Sequence, residues 1–204
     1  MPKSLPTKRL ESLPKNAKRV FNGVIFDVYH WKQKMYDGST ATFEKIVRPD
    51  TVEALATVGK KIIILDQQQP NLTQEKVTLP GGRADQHHNP LVEAQRELLE
   101  ETGFISSDWQ LLHTESPPDS KVMYSMHYFI ARNCKKVAKS RLDVGEKIKS
   151  RLVSLEQLLR LSDSPRFWVG PWFLQELLRM RLDPKRKEKF RRLLFPGALA
   201  DHDG

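Results

Sequence analysis

Apolar and polar positions change rhythm several times along the chain, and each change marks an element. Val24-Ile25-Phe26-Asp27-Val28-Tyr29-His30-Trp31 is dense in aromatic and branched residues. Thr40-Ala41-Thr42-Phe43-Glu44-Lys45-Ile46-Val47 returns from it across the turn signal Asp37-Gly38-Ser39, which predicts a long hairpin over 23–47. Arg48-Pro49-Asp50 breaks that run. Val52-Glu53-Ala54-Leu55-Ala56 and Lys61 to Leu65 then read as two strands joined at Val58-Gly59-Lys60, with Gln67-Gln68-Gln69-Pro70 leaving as a loop. The short stretch Val77-Thr78-Leu79-Pro80 runs into Gly81-Gly82 as a strand-to-loop junction. Asp108 to Leu112 and Val122 to Ala131 predict two more strands, and a polar loop, Leu142 to Ile148, precedes a last one ending at Leu152-Val153.

Helical spacing takes over elsewhere. Asn89 is a good N-cap and Pro90 suits the first helical position, while Gly103 supplies the left-handed residue that closes a helix, so one is predicted between them. Leu91, Ala94, Leu98 and Leu99 give it a core-facing stripe. Ser154 caps a second helix through Leu155-Glu156-Gln157-Leu158-Leu159, and from Pro165 onward Phe167, Trp168, Trp172 and Phe173 pack an amphipathic helix pair. Strands in a mixed sheet with helices against it make an α+β fold.

The other face of the helix after Asn89 is harder to explain as scaffolding. Glu93, Glu97, Glu100 and Glu101 lie on neighbouring turns, where side chains three and four apart repel if their charges are alike. Arg96 reaches Glu100 at i+4 but cannot neutralise four acids. A hard divalent cation can, and a cluster of oxygen donors suits magnesium, manganese or calcium better than zinc.

The glycine pair and this helix together form one pattern. Gly82, five residues, His88, seven residues, then Arg96-Glu97-Leu98-Leu99-Glu100-Glu101-Thr102-Gly103-Phe104 closely resembles the signature of the Nudix hydrolases, except that His88 stands where that family has a glutamate. The order of elements over residues 22–160, with an N-terminal hairpin before the core sheet, resembles the ADP-ribose pyrophosphatase branch. The resemblance implies an α/β/α sandwich with an N-terminal β-hairpin extension and C-terminal helices. It implies that Glu97, Glu100 and Glu101, with the carbonyl of Gly81, hold magnesium (manganese being the substitute), and that Arg96 orients those acids. Glu146 is in register with the branch's acid that closes over the diphosphate, with Glu115 in reserve. Gly82, Arg83 and Trp31 are the expected substrate contacts, Trp31 stacking on a base while Tyr29 packs in the sheet. The branch's Ser-Pro-Gly loop and its following acid are here Ser116-Pro117-Pro118 and Lys121, and Lys121 reads as an exposed strand-edge lysine.

Length and charge add boundaries. The 204 residues suit one domain over 22–195, with the hairpin at 22–48 and a helical extension at 165–195, between a basic flexible arm at 1–21 and a tail at 196–204. The net charge of +9 gathers in that arm and between Arg179 and Arg192, without interleaved aromatics or a nucleic-acid motif; a small anionic substrate is the expected partner, and nucleic acid is not. No apolar run approaches the ~20 residues that span a bilayer, and the N-terminus lacks a signal-peptide core. A lone Cys134, beside Lys135 and Lys136 where a thiolate is favoured, excludes an internal disulfide and fits a reducing cytoplasm. Apolar surface on the hairpin predicts homodimerisation, as in the branch. The expected activity is magnesium-dependent hydrolysis of a nucleoside diphosphate sugar, ADP-ribose first, to a nucleoside monophosphate and a sugar phosphate. Hydrolysis of capped RNA or nucleoside triphosphates, and a non-catalytic nucleotide-binding module, are the alternatives.

Overall fold

Strand β4 (Asp50–Val58) explains most of the architecture, because it is paired along both edges. On one side it meets β11 (Met126–Arg132) in parallel, and β11 in turn pairs antiparallel with β9 (Asp108–Glu115). On the other side β4 is shared by β5 (Lys61–Gln68) at its end and β7 (Gly81–Ala84) at its start. β13 (Lys147–Val153) and β6 (Lys76–Thr78) flank β5. The computed structural model describes residues 13–70, 73–84, 89–116, 121–142 and 144–196.

Alternation along these strands sends side chains to two cores. Leu55, Ile62, Ile64, Tyr128 and Ile130 face α2 (Leu155–Leu161), α3 (Pro171–Leu182) and α4 (Pro184–Leu194), packing on Leu158, Phe173, Leu177, Met180 and Leu194. Val52, Ala56, Ile63, Phe129 and Ala131 face the opposite way, toward Ala94 and Leu98 of α1 (Pro90–Thr102). The result is a mixed sheet between helices, the expected α+β sandwich. Arg132 ties one layer to the sheet: it is buried, and it donates to the Leu193 carbonyl (2.7 Å), Asp108 (3.0 Å) and Gln110 (2.5 Å). Bonds to a charged group are worth about 1.5–3 kcal/mol each, so removing Asp108 or Gln110 would leave a costly buried cation.

The caps of α1 are those expected: Asn89 Oδ1 accepts from Leu91 N at 3.0 Å, and Gly103 sits at φ 74° with its N–H on the Leu99 carbonyl. A Cβ at Gly103 would lie 2.0 Å from the Ala138 carbonyl oxygen, so glycine is needed for space as well as conformation. Ser154 and Gln157 form a reciprocal capping box on α2.

Several expectations change. Residues assigned to the arm form β1 (Lys18–Asn22), which pairs with β2 (Asp27–Lys34); Gly23 to Phe26 make the turn between them, so β2 begins later than Val24. β2 and β3 (Thr40–Val47) are the expected hairpin. The strand at 122–131 is split into β10 (Val122–Met123), which joins β3, and β11. Leu99 is 37% exposed, because α1 buries Glu93 and Glu101 on its cleft side in place of a continuous apolar stripe. β8 (Phe104–Ile105) and β12 (Lys135–Lys136) form a small ribbon beside α1. The basic arm through Ser12, His87, His88, Pro118 and the tail from Gly197 lie outside the described residues.

Cys134, to which the sequence gives no functional role, is not activated by its lysine neighbours. It is buried against Ala56, Leu98 and Ala131, and burial pushes its pKa up to about 11. It should therefore stay protonated and unlabelled by a thiol-disulfide reagent at pH 8, reacting in step with unfolding as urea is added; rapid labelling of the native protein would contradict this burial.

Candidate active site

The cleft is built where β7 passes beneath the acidic face of α1. Gly81 and Gly82 pair with Glu53 and Val52 of β4, which fixes the height of the loop over the sheet. A Cβ at Gly81 would lie 2.1 Å from the Val52 carbonyl oxygen, and one at Gly82 would lie 2.4 Å from Glu97 Oε1. Glycine alone allows the backbone this close to the carboxylates. The Gly81 N–H donates to Glu101 Oε2 at 2.8 Å and so joins the loop to the last turn of α1.

Arg96 distributes one positive charge over three acids. It donates to Glu93 Oε2 through Nε and Nη2 (3.0 and 2.9 Å), to Glu97 Oε1 (2.6 Å) and, through Nη1, to Glu100. Burial works against its charge, but the hydrogen bonds to Glu93 and the charges of Glu97 and Glu100 outweigh it and hold the guanidinium above its usual range. Burial acts on the acids as well. Glu97 titrates above the ordinary carboxylate range, chiefly through burial, with Arg96 opposing and Glu100 and Glu146 adding repulsion. Glu101 is raised well above that range, again mainly by burial, against the Gly81 N–H and with help from Glu97 and Glu146.

These side chains line a cleft of about 470 Å³ together with Arg83, Arg141 and Gln67. The structure thus brings together Gly81, Gly82, Arg83, Arg96, Glu97, Glu100, Glu101 and Glu146. It leaves two expected residues elsewhere, and Tyr29 in the sheet. Trp31 is buried in the N-terminal sheet, tilted against Phe43 at 5.9 Å with its Nε1–H on Gln33, and does not line the cleft. Tyr29 is buried beside Val47, in the sheet-packing role expected of it. Glu115 accepts from Trp172 N (3.4 Å) at the start of α3. Glu93, which the acidic-face pattern grouped with the others, is buried as the anchor of Arg96.

Some contributors carried no functional signal. Arg141 reaches the cleft because its N–H bonds to the Glu100 carbonyl (2.7 Å), a fixture of a loop with no local motif. Glu53 was legible as anomalous: it is an acid within an otherwise apolar strand run. Burial and the neighbouring Glu115 charge raise its pKa to about 8.

An all-oxygen donor set carrying surplus negative charge suits a hard divalent cation. Among the described residues, no three acidic side chains already converge as ligands. Glu97 and Glu100 are turned onto Arg96 and Glu101 onto Gly81, so an arriving cation competes with those partners.

Comparisons with known proteins bear on the family and the fold. Residues 47–173 match the family model of the NUDIX domain. The ADP-ribose pyrophosphatase of Bacillus subtilis (strain 168) is 27% identical over 159 residues, covering 77% of this chain and 86% of that protein. The methanol dehydrogenase activator of Bacillus methanolicus is 24% identical over 165 residues, covering 79% and 88%. The crystal structure of an ADP compounds hydrolase superposes with a TM-score of 0.69 over 87% of this chain and 95% of its own, at 21% identity, a likeness of fold.

Gly82→Ala tests the cleft directly. Its methyl group meets the mobile end of Glu97, so the carboxylate should swing away while the backbone holds. The melting temperature should shift little, and manganese affinity, followed by electron paramagnetic resonance, should weaken about 10-fold or more. Unaltered affinity would show that the position of Glu97 does not matter to cation binding.

Proposed function

The chain belongs to the NUDIX family and is a Nudix hydrolase, and from that premise we propose that it cleaves the pyrophosphate of a nucleoside diphosphate sugar, ADP-ribose first among them. The observation carrying this reading is the convergence of Glu97, Glu100 and Glu101 with the cationic Arg83 on one cleft. A carboxylate cluster alone would repel a diphosphate. Its surplus charge calls for a cation that the substrate also needs.

Glu97, Glu100, Glu101 and the Gly81 carbonyl would hold magnesium, or manganese in its place. Bound there, a metal would supply charge neutralisation for the diphosphate and would make water more acidic. Arg83, exposed in the cleft, meets the phosphates, while Gly82 leaves room for them. Arg96 positions the acids. Glu146, which faces Glu97 and Glu101 electrostatically, takes the proton of the attacking water. The phosphorus–oxygen bond of the anhydride then breaks to give a nucleoside monophosphate and a sugar phosphate.

We assign a homodimer to this enzyme through its N-terminal sheet. Val20 and Phe21 on β1, Val24 and Phe26 in the turn after it, and Phe43 on β3, beyond β2, expose apolar side chains on this sheet, which burial would favour. Among the described residues no helix is long and apolar enough to cross a membrane, and the single buried thiol suits the cytoplasm.

Glu101→Gln separates charge from anchoring, because the amide oxygen still accepts from Gly81 N. Magnesium-dependent release of AMP from ADP-ribose should fall by at least about 100-fold, the equivalent of the several kcal/mol a metal supplies, with the melting temperature retained. Undiminished turnover would refute the metal role. In light scattering the wild type should run as a dimer and Phe21→Lys/Phe26→Lys as a monomer; a monomeric wild type would remove that assignment.

A further inference from the structure

A second cavity opens on the other side of the glycine pair. Its volume is about 380 Å³, inside the roughly 300–1,000 Å³ range of small-molecule pockets. It shares Gln67, Gly81 and Gly82 with the acidic cleft. A ligand crossing the two glycines therefore occupies both, with its diphosphate at the acids and its remaining half in the second cavity.

Glu53 lines that cavity. It stands opposite Gly81 in one ladder and opposite Tyr128 in the other, so its place is fixed by backbone pairing on both sides. Its Oε2 is shut off from solvent and has no hydrogen-bond partner among the described residues. A buried polar oxygen without a partner is costly unless something else satisfies it. The charge that bears on it is another acid, Glu115. Arg48 is the cation on the same lining, stacked over Tyr124 at 4.5 Å, but against Glu53 itself a phosphate or carboxylate is a poor match, whereas a hydroxyl donates and accepts and so bonds a carboxyl group in either protonation state. Thr51, Gln67 and Tyr124 add further hydroxyl and amide groups around the same space, and Trp168 provides a ring wall whose other contact is Lys76, 3.0 Å from its centroid.

We propose that Glu53 is a specificity-determining residue that selects a hydroxyl-bearing group, a sugar or other polyol, on the far side of the diphosphate from the nucleoside. The inference rests on the nucleoside diphosphate sugar reading above. It adds which side chain makes the sugar matter.

The test compares ADP-ribose with the cyclopentylmethyl ester of ADP, which keeps the diphosphate and loses the hydroxyls beyond it. The wild type should favour ADP-ribose in kcat/KM. Glu53→Ala should lose about 10- to 100-fold on ADP-ribose and much less on the ester, so the preference collapses; Glu53→Gln, which keeps hydrogen-bonding capacity, should retain most of it. Losses of equal size on both substrates, or on neither, overturn the proposal, and thermal melts of each variant separate misfolding from lost recognition. Calorimetric titration of the same two ligands without metal supplies a readout independent of turnover. A wild type that hydrolyses neither compound sinks the functional reading; wild-type binding that does not distinguish them sinks the role of Glu53. An ordered water alone satisfying Oε2 would appear as that second outcome.

Discussion

One guanidinium decides whether this cleft can exist. Four glutamates on the exposed turns of α1 would unwind the helix or swing into solvent if left to repel one another. Arg96 holds three of them, and the Gly81 N–H holds the fourth, Glu101. Because Glu93 is buried, the arginine is anchored from below and presents its remaining donors outward to Glu97 and Glu100. The cleft lining thus holds four glutamates, Glu97, Glu100, Glu101 and Glu146, against three arginines, a donor set that suits a hard cation. Packing of Ala94 and Leu98 onto the sheet keeps this arrangement in place.

The fold and the acids were legible for different reasons. Period-two strands, the Asn89–Pro90 and Ser154 caps and the Gly103 stop are local signals, and local chemistry governs those elements, so they stand within a few residues of where the pattern puts them. The Gly81–Gly82 to Phe104 pattern located the cleft because spacing along one loop and helix fixes most of its geometry. What escaped was long-range. β1 looked like part of a charged arm, since its Lys18 and Arg19 disguise a strand that exists only by pairing with β2. Trp31 is aromatic and in a promising strand, but whether its ring faces a ligand or Phe43 is a tertiary matter. Arg141 arrives at the site through a single backbone bond that no motif encodes.

Charge works at two scales here. The chain is strongly basic, +9 overall, yet its cleft gathers four glutamates. A positive surround concentrates anions near the protein, while the acids of the cleft repel them locally. Arg83 and Arg141, set at the margin of the cleft, mediate between the two regimes. The electrostatic layout thus filters ligands before shape does.

The parallel pairing of β4 with β11 has a consequence for how the chain acquires its shape. Ser125 N bonds to Asp50, 75 positions away, and the ladder from Thr51 to Ala56 cannot zip until the whole intervening stretch, α1 included, has emerged and turned back. Closing a span that long is entropically demanding before any contact rewards it, so this step belongs among the slow, late events of renaturation. During that wait the acidic helix has its glycine loop but not its floor. A newly made chain on the ribosome therefore carries the signature long before it carries a working enzyme.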